Sequence, residues 1–146
     1  MLISKPKHIA NIADIAIDSS KHVVIDIDGV ICQSHHGDYA NADPLKYGVS
    51  QVNKLVEQGY YVILFTARYG DRELGCLPRQ YQRGFKELVD WLEKQGVMYH
   101  EVRLGKPPAI LYIDDKAARV TGDDHAGWEQ VNIGLEDAIR KDKYGQ

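Results

Sequence analysis

HVVIDIDGVIC, residues 22–32, is the stretch on which the reading of the chain turns. Val23, Val24 and Ile25 are β-branched and uninterrupted by polar residues, which predicts a central parallel strand covered on both faces. The strand runs straight into Asp26, Ile27, Asp28 and Gly29, and Gly29 lets the chain turn. Side chains alternate along a strand, so Asp26 and Asp28 begin on the same face. Two carboxylates held close repel unless a cation or a proton lies between them. A hard divalent ion with oxygen ligands, Mg2+ above all, answers that problem. The plainer alternative is an Asp-rich turn that closes a strand.

Working outward, YYVILFT (residues 60–66) is a second buried-strand run, and it stops at Thr66, Ala67 and Arg68. Between the two strands, residues 33–48 are polar and read as a loop or small hairpin. Its adjacent His35 and His36 ligate a metal only if further donors converge on them. Ser50 is expected to cap a helix built on Val49, Val52, Leu55 and Val56 and ended by Gly59. Residues 69–79 form a long connection. A helix over residues 80–95 then places Tyr81, Phe85, Leu88, Val89 and Leu92 on one face, with Trp91 at its margin, and ends at Gly96. Residues 97–103 alternate as an outer strand, and 105–108 form a turn. Residues 109–113 form a short apolar strand ending in Asp114 and Asp115. A helical turn over 116–119, a strand near 128–131 and a helix around 135–141 follow, while residues 7–18 show helical spacing at the N-terminus. Strands alternating with helices predict an α/β fold, a Rossmann-like three-layer sandwich with five parallel strands. Ligands in such folds bind beyond the carboxyl ends of the strands.

The 146 residues fit one domain. Residues 1–21 read as an N-terminal helical extension, 22–118 as the motif-bearing core, and 119–146 as the final strand and helix. A net charge of -3 argues against general affinity for nucleic-acid backbone. No apolar run is long enough to span a membrane, and the N-terminal stretch is too interrupted for a signal peptide. A cytoplasmic protein with no membrane partner is expected. Cys32 and Cys76 carry no Cys-x-x-Cys or Cys/His pattern, so neither a zinc site nor a disulfide framework is indicated.

Asp26, Asp28, Thr66, Lys106, Asp114 and Asp115 all fall at or just beyond the carboxyl ends of predicted strands. Singly they read as turn and cap residues or solvated charge. Together they offer a cation site, a hydroxyl donor and an ammonium, the parts that phosphoryl transfer needs. At this point the chain resembles the haloacid dehalogenase-like hydrolases: HVVIDIDGV is similar to their first motif, LFTAR to their second, Lys106 to their third and LYIDDKA to their fourth. The motifs come in the same order. Within the family the chain looks most like small phosphatases associated with capsule or other sugar biosynthesis.

The resemblance implies a Mg2+-dependent phosphomonoester hydrolase acting on a sugar phosphate or similar small metabolite, with strand order 5-4-1-2-3. Asp26 would be the nucleophile that forms an aspartyl phosphate. Asp28 would be the general acid and then the base, and a metal ligand through its carbonyl. Thr66 and the amide of Ala67 would bind phosphate oxygens, and Lys106 would neutralise charge on them. Asp115 would touch the metal, beside Asp26 and Asp28, with Asp114 behind it or paired with Lys106. Arg68, next to Thr66, falls near the site and is expected to bind phosphate or substrate; Arg72, Arg79 and Arg83 with it can grip a second anionic group, or these three form a solvated loop with Asp71 and Glu73 as partners. Asp28 favours hydrolysis of phosphate esters over carbon–halogen cleavage, because an alkoxide leaving group needs a proton. No insertion is long enough for a cap domain, so the site is open or completed by a homo-oligomer. Two rival readings are a nucleotidase or polynucleotide end phosphatase and a non-catalytic receiver-like module. The order of the acidic motifs disfavours the receiver.

Overall fold

The computed structural model describes residues 19–33 and 37–144. The helix expected over 7–18 and the His35/His36 pair lie outside the described residues. In chain order the elements are β1 (His22–Ile25), β2 (Cys32–Gln33), β3 (Asp43–Pro44), α1 (Lys46–Glu57), β4 (Tyr61–Phe65), α2 (Leu77–Lys94), β5 (Glu101–Arg103) and α3 (His125–Tyr144). Short 3-10 turns occupy Ser19–Lys21 and Tyr39–Asn41.

The chain is a mixed α/β fold around a parallel sheet ordered β1-β4-β5. Val24 aligns with Ile63, and Leu64 aligns with Val102. β4 is the central strand, and Val62, Ile63 and Leu64 are all buried, as an apolar run covered on both faces requires. Leu55 and Val52 of α1 and Leu88 and Leu92 of α2 join them in one core, each 2% exposed or less. Asn53 fastens α1 to the turn after α2. Its amide donates to the Gly96 carbonyl at 3.0 Å, and its oxygen accepts from the Met98 N–H at 2.7 Å.

Helices α1 and α2 stop where expected. Gln58 and Gln95 are the C-caps, followed by Gly59 and Gly96 at positive φ. Their starts differ from expectation. Pro78 lies in the first turn of α2, where its missing N–H costs nothing, so that helix begins at Leu77. Ser50 is inside α1, and its hydroxyl bonds back to the Tyr47 carbonyl at 2.6 Å.

The expected five-stranded sheet does not form; among the described residues the parallel sheet has three strands. Residues 109–113 are irregular and exposed, not a strand, and Ile110 and Ile113 face solvent. The reason is topological: a parallel strand needs a crossover of a dozen or more residues to return the chain to the start of the sheet. Only residues 104–108 separate β5 from residue 109. Nor do residues 116–119 form a helical turn. The strand expected at 128–131 is part of α3. Trp128 is buried, and Val131 and Leu135 pack against the same core, a helical rather than alternating spacing. Asp124 caps that helix, its Oδ1 accepting from the Gly127 N–H at 2.8 Å.

Two features lend themselves to direct measurement. A Cβ on Gly48 would lie 2.1 Å from the Val30 carbonyl oxygen, so α1 packs flush against the turn that follows Asp28. Gly48→Ala is expected to cost about 1–3 kcal/mol in urea denaturation, because backbone rather than a pliable side chain must yield. At the opposite end of the sheet, His22, Tyr61 and His100 stack with centroids 4.6 Å apart. His100 Nδ1 accepts the Val62 N–H at 3.1 Å, a bond that a proton on Nδ1 abolishes. Burial pulls the imidazole below its usual value, with Glu101 opposing and His22 assisting. A histidine depressed on folding contributes stability that is present above its unfolded value of 6.5 and lost as pH falls through the folded one. The urea midpoint is therefore expected to drop between about pH 7.5 and about pH 5.5, and His100→Gln to flatten that slope.

Candidate active site

β1 and β4 are parallel neighbours, so their carboxyl ends deliver Asp26 and Thr66 to one rim of the sheet. The chain leaving β5 closes on the same rim, where the Lys106 N–H donates to the Thr66 carbonyl at 3.1 Å. That bond places the Lys106 ammonium 3.4 Å from Asp26 Oδ2. The Tyr112 ring covers the other side of the ammonium, 4.3 Å away, and its hydroxyl bonds to the Pro107 carbonyl. The Ile27 N–H donates to Asp26 Oδ1 at 2.8 Å. Burial raises the Asp26 carboxyl above its ordinary value, and Lys106 and the Ile27 N–H only partly offset this. The ionised carboxylate is correspondingly more basic than a solvated one.

Gly29 has φ +85° and turns the chain so that Ile27 becomes fully buried while Asp28 remains partly open. Asp28 is held by Arg68, whose side chain is itself 0% exposed. Arg68 Nε donates to Oδ2 at 2.9 Å and to Oδ1 at 3.1 Å, and Nη2 donates to Oδ1 at 2.9 Å. Cys32 donates to Oδ1 at 3.2 Å and accepts from Arg68 Nη2 at 2.8 Å. Burial pushes the Cys32 thiol up to about 12, so it stays a protonated donor. Arg68 is also packed 4.5 Å under the Tyr39 ring. Thr66 is fully buried, its hydroxyl oxygen accepting the Arg68 N–H at 3.1 Å. Next to it Tyr69 is buried at φ +69°, a strained conformation of the sort that gathers at functional sites. An open cleft of about 500 Å³ is bordered by Asp28, Ala67, Arg68, Tyr39 and Pro108.

Six of the eight residues singled out from sequence therefore gather here: Asp26, Asp28, Thr66, Ala67, Arg68 and Lys106. Asp114 and Asp115 do not join them. Both are exposed, and Asp114 Oδ1 accepts the Lys116 N–H at 2.8 Å in a local turn. Their displacement follows from the absence of the strand expected over 109–113. Among the described residues no three His, Cys, Asp or Glu side chains are close enough together to hold a metal ion. Of the neighbouring arginines, Arg72 and Arg83 pair with Glu73, the partner the loop reading named, but Glu73 is buried rather than solvated. Sequence reasoning placed Arg68 beside the phosphate. It missed the Arg68–Asp28–Cys32 cluster, of which the only hint was a polarisable residue four positions after Asp28.

No family model matches the chain, and no curated protein matches it. Among solved structures it is similar to a structural-genomics target from Vibrio cholerae, with 26% identity over 80% of this chain and 98% of that one and a TM-score of 0.69. Among the described residues no helix is long and apolar enough to cross a membrane.

Proposed function

We propose that the chain is a phosphomonoester hydrolase that works through an aspartyl phosphate on Asp26, acting on a small phosphorylated metabolite such as a sugar phosphate. The observation that carries this reading is the 3.4 Å approach of Lys106 to Asp26, two residues far apart in sequence that meet at the carboxyl rim of a parallel sheet. Asp26 attacks phosphorus while Lys106 offsets the charge on the phosphoryl oxygens. Asp28 gives a proton to the leaving oxygen and afterwards takes one from water. Thr66, bonded to both the Lys106 and Arg68 amides, sets the spacing between them. The open cleft beside Asp28 suits a small polar substrate in the cytoplasm, with a second copy of the chain able to complete its rim.

The Mg2+ implied by the resemblance is not accommodated by the donors as they stand. Asp26 and Asp28 are at the site, but Asp28 is engaged by Arg68, and Asp114 and Asp115 lie outside it. No step above depends on the ion.

Phosphate release from a panel of sugar phosphates, nucleotides and phosphorylated oligonucleotides, with Mg2+ and with EDTA, tests the proposal. Sugar phosphates are expected to be preferred. Preference for nucleotides or strand ends would change the substrate class, and release from none of them would overturn the reading.

A further inference from the structure

Asp28 is held asymmetrically. Its Oδ1 receives Arg68 Nη2, Arg68 Nε and the Cys32 thiol, which leaves no lone pair to spare. Among the described residues its Oδ2 receives only Arg68 Nε. The carboxylate is 28% exposed while the guanidinium beneath it is fully covered. The Arg68 guanidinium therefore cannot touch a ligand in the cleft except through Asp28. Nor is it a simple core ion pair, since its Nη1 is buried without a hydrogen-bond partner among the described residues. A buried orphan donor is costly, and a shorter apolar side chain would avoid it. What the fork supplies is orientation: two N–H groups in one plane fix both the rotation of the carboxylate and which oxygen stays open.

Resting on the reading of the site as a phosphohydrolase, we propose that Arg68, assisted by Cys32, is the positioning residue that aims Asp28 Oδ2 as the proton donor to the leaving group. Asp28 Oδ2 takes up the proton of the bound monoester monoanion, and as the bond from an Asp26 oxygen to phosphorus forms and the ester phosphorus–oxygen bond breaks, that proton passes to the departing oxygen. Asp28 is left as a carboxylate in the plane that Arg68 defines. Such assistance matters where the leaving group is a basic alkoxide and hardly at all where it is a stable phenolate.

The test is kcat/KM for glycerol phosphate and for p-nitrophenyl phosphate in wild type, Arg68→Met, Arg68→Lys and Cys32→Ala. This ratio reports the step in which the ester bond breaks. Thermal denaturation of each variant identifies those that fold. Arg68→Met is expected to lose about 100-fold on the alkyl ester and far less on the aryl ester. Arg68→Lys, which keeps charge but not the fork, is expected to fall between Arg68→Met and wild type, and Cys32→Ala to show the same bias on a smaller scale. Should Arg68→Met fail to fold, the same bias in Arg68→Lys and Cys32→Ala sustains the proposal. Equal loss on both esters in the folded variants overturns it and leaves the phosphohydrolase reading intact. Wild-type protein inert on both esters would instead sink the reading on which the inference rests.

Discussion

Asp26→Asn is expected to abolish phosphate release, by at least about 10³-fold on the scale of nucleophile deletions, while leaving the fold as stable as wild type or more so. The two halves of this expectation have different causes. The amide cannot attack phosphorus, so the covalent route closes. Stability responds to the raised Asp26 carboxyl: a group whose value rises on folding contributes stability at low pH that is lost as pH climbs through the folded value. At neutral pH the ionised side chain is a cost to the fold, and the neutral amide removes it. A melting temperature well below wild type would show that Asp26 is a structural acid. Full activity would remove it from the chemistry.

Lys106→Met is expected to cost about 10²–10³-fold in kcat, the scale seen when a preorganised charge is taken from a developing anion. Methionine keeps most of the packing against Tyr112 and removes only the ammonium. Asp26 then sits half-buried without its counter-ion, so some stability is lost as well. The double variant with Asp26→Asn should be no less active than Asp26→Asn alone, since both residues serve one event. It should also recover the stability lost in Lys106→Met. Additive losses of activity would place Lys106 in a separate role.

How far the molecule could be read from its sequence varies along its length. Residues 22–25 and 61–65 are apolar runs too short for helices and bounded by turn residues, and both became strands where expected. The glycines at 59 and 96 ended helices because left-handed backbone is cheap only there. The C-terminal third misled for two physical reasons. Residues 109–113 look like a strand by composition, but connection length, which decides whether a parallel neighbour is reachable, ruled it out. Residues 128–131 are too few to distinguish alternation from helical spacing, and the phase of Trp128, Val131 and Leu135 resolves it only across the wider window. The candidate site was legible where it depends on strand ends, for Asp26, Asp28, Thr66 and Lys106. It was not legible where it depends on packing: the burial of Arg68 beneath Asp28 and the Tyr39 ring above it come from tertiary neighbours that no local pattern announces.

The most direct measurement is to quench the protein in acid during turnover of a sugar phosphate and map phosphorylated peptides by mass spectrometry. A phosphoryl group on Asp26, absent in Asp26→Asn, is the predicted result. Sustained phosphate release with no covalent adduct, or with the adduct on another residue, would contradict the account.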